Sequence, residues 1–198
     1  MPLTEYWLHE QNPITKNFSE QFPIVRGCSL FFYNQNSRWH RPIHLMKYYG
    51  HRRIAYEFGK MLGMAIRNVE CWQKVDFLVP VPIHFFRRLS REYNQTEEIC
   101  RGISQLTGID VDFNSVRRVK YSVSQVGKSQ VQRVSNFKAN TFKVVNRHKF
   151  ENKHILLVDD VLTTGTTIKS LAEEILRSVP NVKISIATVA VSSYHLNR

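Results

Sequence analysis

Two adjacent carboxylates and the hydroxyl-rich loop behind them are the side chains best suited to chemistry in this sequence. Asp159 and Asp160 follow an aliphatic run at residues 155–158 and precede a loop at residues 163–167. The loop consists of Thr163, Thr164, Gly165, Thr166 and Thr167. Carboxylates accept hydrogen bonds from sugar hydroxyls, whereas threonine hydroxyls and backbone N–H groups donate hydrogen bonds to phosphate oxygens. The pattern therefore predicts a site for a sugar phosphate.

The elements around this pattern would hold it at the edge of a sheet. A continuous apolar run such as 155–158 is typical of a strand buried on both faces of a parallel sheet. Beyond the loop, helical spacing relates the apolar residues Ile168, Leu171, Ala172, Ile175 and Leu176. The loop thus joins a strand to a helix N-terminus, where free N–H groups and the helix dipole favour an anion. Gly165 lets the backbone approach the ligand.

Each of these features has a simpler interpretation when it stands alone. An acidic pair can be a solvated strand end, and threonines can cap a helix. A P-loop does not fit, because no Gly-Lys pair follows the loop. A receiver-type acidic cluster would need further acids from other strands around a metal, and no acidic pair ends an earlier strand. The combination in this order favours the ligand site.

The stretch at 154–167 resembles the phosphoribosyl-diphosphate binding motif of type I phosphoribosyltransferases. In that motif an aliphatic run, two acids and a threonine-rich loop with glycine follow one another. The resemblance implies that Asp159 and Asp160 bind the ribose 2′ and 3′ hydroxyls. It also implies that the loop at 163–167 binds the 5′-phosphate.

A second strand-loop-helix unit precedes this one in the chain. The apolar run at 75–81 contains Pro80, so we expect its strand to end near Val79. Asn94 marks the start of a helix, and Gly108 marks its end. Ligand sites of parallel sheets lie at the carboxyl ends of the strands, so this loop and the threonine-rich loop should face one crevice.

The loop of the second unit carries the candidate contacts for a diphosphate group. These are Val81, Pro82, Arg87 and Arg88. A diphosphate needs cationic or N–H partners, which the two arginines could supply. Arginines in such a position can equally be solvated side chains, and the sequence leaves both interpretations open.

A polar segment at 113–142 lies between core elements and is either a functional lid or a disordered insert. Its candidate site residues are Arg118, Lys120, Ser124, Gln125 and Arg133. The segment at 38–53 mixes basic residues with aromatic ones. It fits either a platform for single-stranded nucleic acid or an amphipathic helix that buries Ile43, Leu45, Met46 and Tyr49.

Composition narrows the partners to anions. The 198 residues carry a formal net charge of +12, which would attract polyphosphates, nucleic acid or acidic membrane surfaces. A hydrophobic content of 42% is enough for one well-filled core, and we expect an N-terminal arm at 1–26 followed by one domain at 27–198.

Several classes of protein are not supported. No run approaches the roughly 18 apolar residues of a membrane span, and the N-terminus lacks the layout of a signal peptide, so we expect a cytoplasmic protein. Three widely spaced cysteines support neither a disulfide framework nor a zinc knuckle. We expect no direct metal site, because Pro42 would interrupt a helix that put His40 and His44 on one face.

Further motifs resemble the ComF family of competence-associated phosphoribosyltransferase-like proteins. They are L-M-K-Y-Y-G-H-R-R at 45–53, V-P-V-P at 79–82, Y-N-Q at 93–95 and S-Q-V-G-K-S-x-x-x-R-V-S-N at 124–136, in the family's order. The resemblance covers the chain from about residue 28 to its end. Members usually have Phe-Asn-Gln where this sequence has Tyr93. They also usually carry an N-terminal four-cysteine zinc module that this sequence lacks, which gives no support to a zinc-dependent role.

This resemblance implies the type I phosphoribosyltransferase fold, an α/β fold in which a central parallel sheet has helices on both faces and a small hood. The implied reaction displaces diphosphate from C1 of phosphoribosyl diphosphate by a nitrogen nucleophile, with Mg²⁺ on the diphosphate. Asp159 and Asp160 would be the catalytic pair, holding the ribose while positive charge develops on it, and the segment at 117–136 would close over the site. The acceptor is not indicated.

A second hypothesis is a non-catalytic protein of the same fold that serves DNA uptake or nucleotide sensing. Its partners would be single-stranded DNA or the competence machinery. Fold alone does not distinguish the two hypotheses.

Overall fold

The structure is a computed structural model that describes residues 3–33, 40–48, 51–83, 93–119 and 141–192. The strands within these ranges are β1 (Arg26–Tyr33), β2 (Phe77–Pro80), β3 (Asp110–Val111), β4 (Val116–Arg118), β5 (Phe142–Val144), β6 (His154–Leu162) and β7 (Lys183–Ser192). The α-helices are α1 (Pro13–Ser19), α2 (His40–Tyr48), α3 (Arg52–Ile66), α4 (Glu70–Gln73), α5 (Gln95–Thr107) and α6 (Thr166–Ser178). Short 3₁₀ helices lie at Tyr6–Leu8 and Arg147–Phe150.

A five-stranded parallel sheet in the order β1-β7-β6-β2-β3 forms the centre of the molecule. Its middle strand, β6, contains the predicted aliphatic run, whose four side chains at 155–158 are fully buried. Apolar residues without alternation suit such a strand because helices cover both faces. Strands β4 and β5 form a separate antiparallel ribbon.

Helices pack on both faces of the sheet and divide the core in two. On one face, Leu156 and Val158 of β6 pack with buried residues of α3 and α5. On the other face, Ile155 and Leu157 pack with buried residues of α1 and α6. The predicted fold class, a central parallel sheet between layers of helices, is therefore confirmed.

Helices α3 and α5 approach each other at glycines. A Cβ atom on Gly59 would lie 2.1 Å from the carbonyl oxygen of Ile99. A Cβ atom on Gly102 would lie 2.2 Å from the carbonyl oxygen of Tyr56. The two backbones are thus in direct contact, which fixes α5 and its N-terminus relative to α3.

The expected N-terminal arm at 1–26 contains a capped helix that packs on the sheet. Asn12 caps α1, because its side-chain oxygen accepts hydrogen bonds from the N–H groups of Ile14 (3.0 Å) and Thr15 (3.1 Å). Pro13 occupies the first position of α1, where a missing N–H costs nothing. Ile14 and Phe18 are fully buried against the sheet.

Proline positions also explain two smaller differences. Helix α2 runs from His40 to Tyr48 through Pro42, so the prediction that Pro42 interrupts a helix there was wrong. Pro42 lies in the first turn, whose N–H groups have no partner within the helix. Strand β2 ends at Pro80, one residue beyond the predicted Val79. Among the described residues, no helix has both the length and the apolar character that a membrane crossing needs.

Candidate functional site

The two aspartates lie inside β6 and not beyond its end. The strand continues through them to Leu162, although the sequence suggested that it stops before the acidic pair. The N–H of Asp160 donates to Oδ1 of Asp159 (2.8 Å), and the N–H of Val161 donates to Oδ1 of Asp160 (2.6 Å). Such local bonds compete with the sheet ladder. Consistent with this, Val158 and Val161 belong to the same core cluster, so side-chain alternation shifts across the pair.

The neighbouring aspartates have different surroundings. Asp160 is only 7% exposed, and its Oδ2 accepts a hydrogen bond of 2.9 Å from Nε2 of Gln95, which is itself 4% exposed. Asp159 is half-buried and therefore more accessible. The contact between Gln95 and Asp160 was not predicted, although the sequence did single out the Y-N-Q motif that contains Gln95.

The threonine-rich loop has the backbone that an anion site at a helix start needs. Gly165 adopts a left-handed conformation (φ 74°) at the N-cap of α6, so no side chain caps this helix. The threonines are therefore not capping residues, contrary to the simpler interpretation. Thr163, Thr164 and Thr166 are exposed, and the hydroxyls of Thr164 and Thr166 lie 3.0 Å apart. Thr167 is half-buried.

The second loop begins beside the acidic pair. Strands β2 and β6 are parallel neighbours, and the N–H of Val81 donates to the carbonyl of Val158, the residue before Asp159 (2.9 Å). Val81 is buried, and Pro82, which follows it, is half-buried. The structure thus brings Val81 and Pro82 to the same edge of the sheet as the aspartates. Arg87 and Arg88 lie outside the described residues.

The N-terminus of α5 connects these parts. Asn94 is its N-cap and accepts a hydrogen bond from the N–H of Thr96 (3.2 Å), and the Thr96 hydroxyl lies 2.7 Å from the same Asn94 oxygen. The same hydroxyl donates to the carbonyl of Val81 (2.9 Å). The Tyr93 hydroxyl donates to the carbonyl of Met46 in α2 (2.6 Å). The predicted helix start at Asn94 is confirmed, and its end at Gly108 is confirmed by a left-handed C-cap (φ 72°).

Strands β4 and β5 flank the part of the predicted lid at 113–142 that lies outside the described residues. Arg118 is half-buried, and its guanidinium carbon lies 5.2 Å from the centre of the Phe142 ring. Arg117 and Lys143 are exposed and face each other directly across the ribbon. Like charges at such a pair are destabilising unless an anion is nearby. The other lid residues, Lys120, Ser124, Gln125 and Arg133, lie outside the described residues.

A cavity of about 380 Å³ opens between the second loop and the ribbon. It is lined in part by Pro82, Asn94, Phe113 and Arg117. At its floor the Asp112 carboxylate accepts hydrogen bonds from Ser115 and Asn114 and pairs with Lys149 Nζ (2.6 Å). Burial alone would raise the pKa of Asp112, but these partners outweigh it and hold the pKa below its ordinary value. Two of its lining residues, Pro82 and Arg118, are candidates that the sequence predicted, whereas Asp112 and its partners were not predicted.

Comparison with protein-family models matches residues 47–195 to the phosphoribosyl transferase domain. Among curated proteins, the chain is 31% identical over 117 residues to Competence protein F of Haemophilus influenzae, covering 58% of this chain and 51% of the relative. It is 29% identical over 139 residues to the DNA utilization protein YhgH of Escherichia coli, covering 69% of this chain and 60% of the relative. The chain thus spans about half to three fifths of these relatives, and its resemblance to the ComF family is confirmed.

A solved structure shows the same fold. The glutamine phosphoribosylpyrophosphate amidotransferase from B. subtilis superimposes with a TM-score of 0.50 at 16% sequence identity. The match covers 74% of this chain and 30% of that chain. At this identity the likeness concerns the fold alone.

Proposed function

The chain belongs to the phosphoribosyl transferase domain family, and from this we propose that it binds phosphoribosyl diphosphate and transfers the phosphoribosyl group to a nitrogen acceptor. One observation carries the proposal. At the carboxyl end of β6, a half-exposed carboxylate precedes an uncapped helix start with exposed threonine hydroxyls. This order places acceptors for sugar hydroxyls beside donors for a phosphate. A ribose that carries a phosphate on its 5-position has the complementary groups in the same order.

Each part of the substrate has a partner of matching chemistry. The 5′-phosphate would bind the N–H groups and hydroxyls of 163–167, and the ribose hydroxyls would bind the acidic pair. The diphosphate would lie along Val81 and Pro82, with Arg87 and Arg88 remaining predicted contacts. The C1–O bond to diphosphate would break, a C1–N bond would form, and the diphosphate would leave with the electron pair. The carboxylates favour this step because positive charge develops on the ribose ring.

The donor set fits a Mg²⁺ ion that arrives with the substrate. No group of three His, Cys, Asp or Glu side chains suited to a metal occurs in the ranges that the structure covers. Mg²⁺ in phosphate-binding sites is commonly held by one or two carboxylates together with substrate phosphates. Asp159 could supply such a carboxylate, and the ion would neutralise charge on the diphosphate.

Calorimetric titration with phosphoribosyl diphosphate and Mg²⁺ tests the binding. We expect saturable binding to the wild type, and Asp159→Asn should weaken it at least about tenfold, or about 1.4 kcal/mol. The exposed Asp110 at the start of β3 offers a matched control, because Asp110→Asn makes the same change away from the site. Equal affinities for wild type, Asp159→Asn and Asp110→Asn would contradict the site.

Turnover is tested separately by diphosphate release across a panel of amine and nucleobase acceptors. Release with at least one acceptor is expected. Tight binding without diphosphate release for any acceptor would contradict the proposed phosphoribosyl transfer, but it would still support the proposed binding of phosphoribosyl diphosphate.

A DNA-directed role in competence is the second candidate function. The net charge of +12 and the names of the relatives, Competence protein F and DNA utilization protein, favour it. The exposed pair of Arg117 and Lys143 would offer cations to a nucleic-acid backbone. A labelled single-stranded oligonucleotide should then be retained in filter binding at low salt. Lack of retention would remove this candidate.

A further inference from the structure

We propose that the two aspartates have separate tasks: Asp159 contacts the ligand, whereas Asp160 is a positioning residue that Gln95 holds in place. This inference rests on the proposed function, because it assigns roles within the same site. It departs from the symmetrical expectation that each aspartate binds one ribose hydroxyl.

The hydrogen bonds of Asp160 support a positioning role. Its Oδ1 accepts from the N–H of Val161 at 2.6 Å, and its Oδ2 accepts from Nε2 of Gln95 at 2.9 Å. Both oxygens are therefore engaged by the protein, and the carboxylate is buried. A buried hydrogen bond to a charged group is strong and leaves little freedom of orientation. Asp159 also has a protein partner, since its Oδ1 accepts from the N–H of Asp160 at 2.8 Å, but it is half-buried and presents more of its surface to a ligand.

Gln95 links the acidic pair on β6 to the first turn of α5. It is the first residue of α5, directly between Asn94 and Thr96. Thr96 and Asn94 both donate to the carbonyl of Val81, at 2.9 and 3.5 Å respectively. The first turn of α5 thus binds the carboxyl end of β6 through Gln95 and the start of the second loop through its neighbours. It sets the distance between the acidic pair and the loop that would hold the diphosphate, which is the kind of preorganisation that a displacement needs.

An exchange of carboxylate and amide distinguishes the two roles. Gln95→Glu places two carboxylates together in a buried site, and we expect affinity for phosphoribosyl diphosphate with Mg²⁺ to fall at least about tenfold. In Gln95→Glu combined with Asp160→Asn, the amide of residue 160 donates to the new carboxylate. The pair then again contains one charge and one hydrogen bond. If Asp160 only positions the site, the double variant should recover affinity to within about threefold of the wild type.

The matched control introduces Asp159→Asn into the same backgrounds. Variants that carry Asp159→Asn should bind phosphoribosyl diphosphate weakly whether or not the exchange is present, because the ligand-contacting carboxylate is lost in both cases. Affinity that stays low in the exchanged double variant, with a wild-type melting temperature, would overturn the positioning role.

A second variant covers the case in which Gln95→Glu does not fold. Gln95→Met keeps the length of the side chain and removes the donor. Binding of ribose 5-phosphate should weaken several-fold. Binding of inorganic diphosphate without Mg²⁺ should change little, since its proposed contacts lie on the second loop and not on the acidic pair. Equal losses for both ligands, or none, would contradict the proposal.

If the wild type binds no phosphoribosyl diphosphate, both the proposed function and this inference fail. If the wild type binds it but the exchanged double variant does not recover affinity, the inference alone is refuted.

Discussion

His154, the first residue of β6, is a buried titratable side chain that the proposed chemistry does not use. Its Nε2 lies 2.8 Å from the hydroxyl of Ser185 on β7. Its backbone N–H donates to Oδ2 of Asp76 at 2.8 Å. Burial lowers the pKa of His154, and this outweighs the opposing effects of a hydrogen bond with the Lys74 backbone and of the nearby Asp76 carboxylate. Burial therefore favours the neutral imidazole at the amino end of the central strand.

We expect His154 to make the protein less stable in mild acid. Because its pKa is lower in the folded state, the unfolded chain binds the proton more readily, and folding stability falls as the pH drops below the ordinary histidine pKa of about 6.5. Urea unfolding between pH 7.5 and 5 should show a steeper loss for the wild type than for His154→Gln. The two slopes should coincide between pH 7.5 and 8.5. Parallel curves below pH 6.5 would contradict the assignment.

The identities of the site residues could be predicted from the sequence, but the relation between them could not. Two acids, four threonines and a glycine show their chemistry by type and order alone. The asymmetry between Asp159 and Asp160 depends on Gln95, which precedes Asp160 by 65 positions and meets it only through the packing of α5 on the sheet. No local pattern records such a contact.

The crossing of α3 and α5 is the element-level feature on which this packing depends. Gly59 and Gly102 let the two backbones touch, and buried side chains such as Leu62 and Ile103 fill the space beside them. Helices with a Cβ atom at either glycine would have to separate. Since the first turn of α5 holds Asp160 and the carbonyl of Val81, such a separation would reach the candidate site.

Gly102→Ala should therefore destabilise the protein and disturb the site together. The added Cβ would lie 2.2 Å from the carbonyl oxygen of Tyr56 and 2.7 Å from the backbone nitrogen of Lys60, neither of which can rotate away. We expect a loss of about 3 kcal/mol, the upper end of typical overpacking costs, in urea unfolding. Ser104→Ala on the same helix is the control, and its effect should stay within about 0.5 kcal/mol. A stable Gly102→Ala variant would show that the helices are not in contact.

Helix boundaries were predictable where capping residues mark them. Asn94 and Gly108 bound α5 as expected, because an N-cap side chain and a left-handed C-cap are local features. Asn12 and Pro13 carry an equally local signal, a cap followed by proline at the first helical position, but α1 was missed because residues 1–26 were expected only to form an arm. Pro42 was misjudged for a related reason, since proline disrupts a helix interior but not its first turn.

The charge of the whole molecule separates the two candidate functions by their dependence on salt. If a single-stranded DNA backbone binds the exposed cations, affinity should fall by about 0.7 log units per log unit of salt for each phosphate neutralised. Arg117→Ala with Lys143→Ala should then lower that slope by about 1.4. Lys74→Ala with Lys183→Ala removes the same charge at two exposed positions, one before β2 and one at the start of β7, and should leave the slope nearly unchanged. Filter binding across a salt series measures the slope of each double variant. Equal slopes would exclude the β4–β5 ribbon as the DNA-binding surface.

The fold class was predictable because two strand-loop-helix units and buried aliphatic runs leave few alternatives to a parallel sheet. The strand order was not predictable from residue patterns. Neither β3, two residues long, nor the pairing of β1 with β7 has a local signature, since both depend on contacts between distant parts of the chain.

The pairing of β1 with β7 also constrains the order in which the molecule can fold. Arg26 pairs with Ser185 and Tyr33 with Ser192, so nearly the whole chain lies between the two partners. Closing so long a loop carries a high entropic cost, and sheets dominated by such distant contacts form slowly. Among the described strands, β7 is the neighbour that joins β1 to β6. During synthesis, β1 and α1 must therefore wait for β7 to leave the ribosome before the sheet can close, and their apolar surfaces stay exposed to chaperones until then.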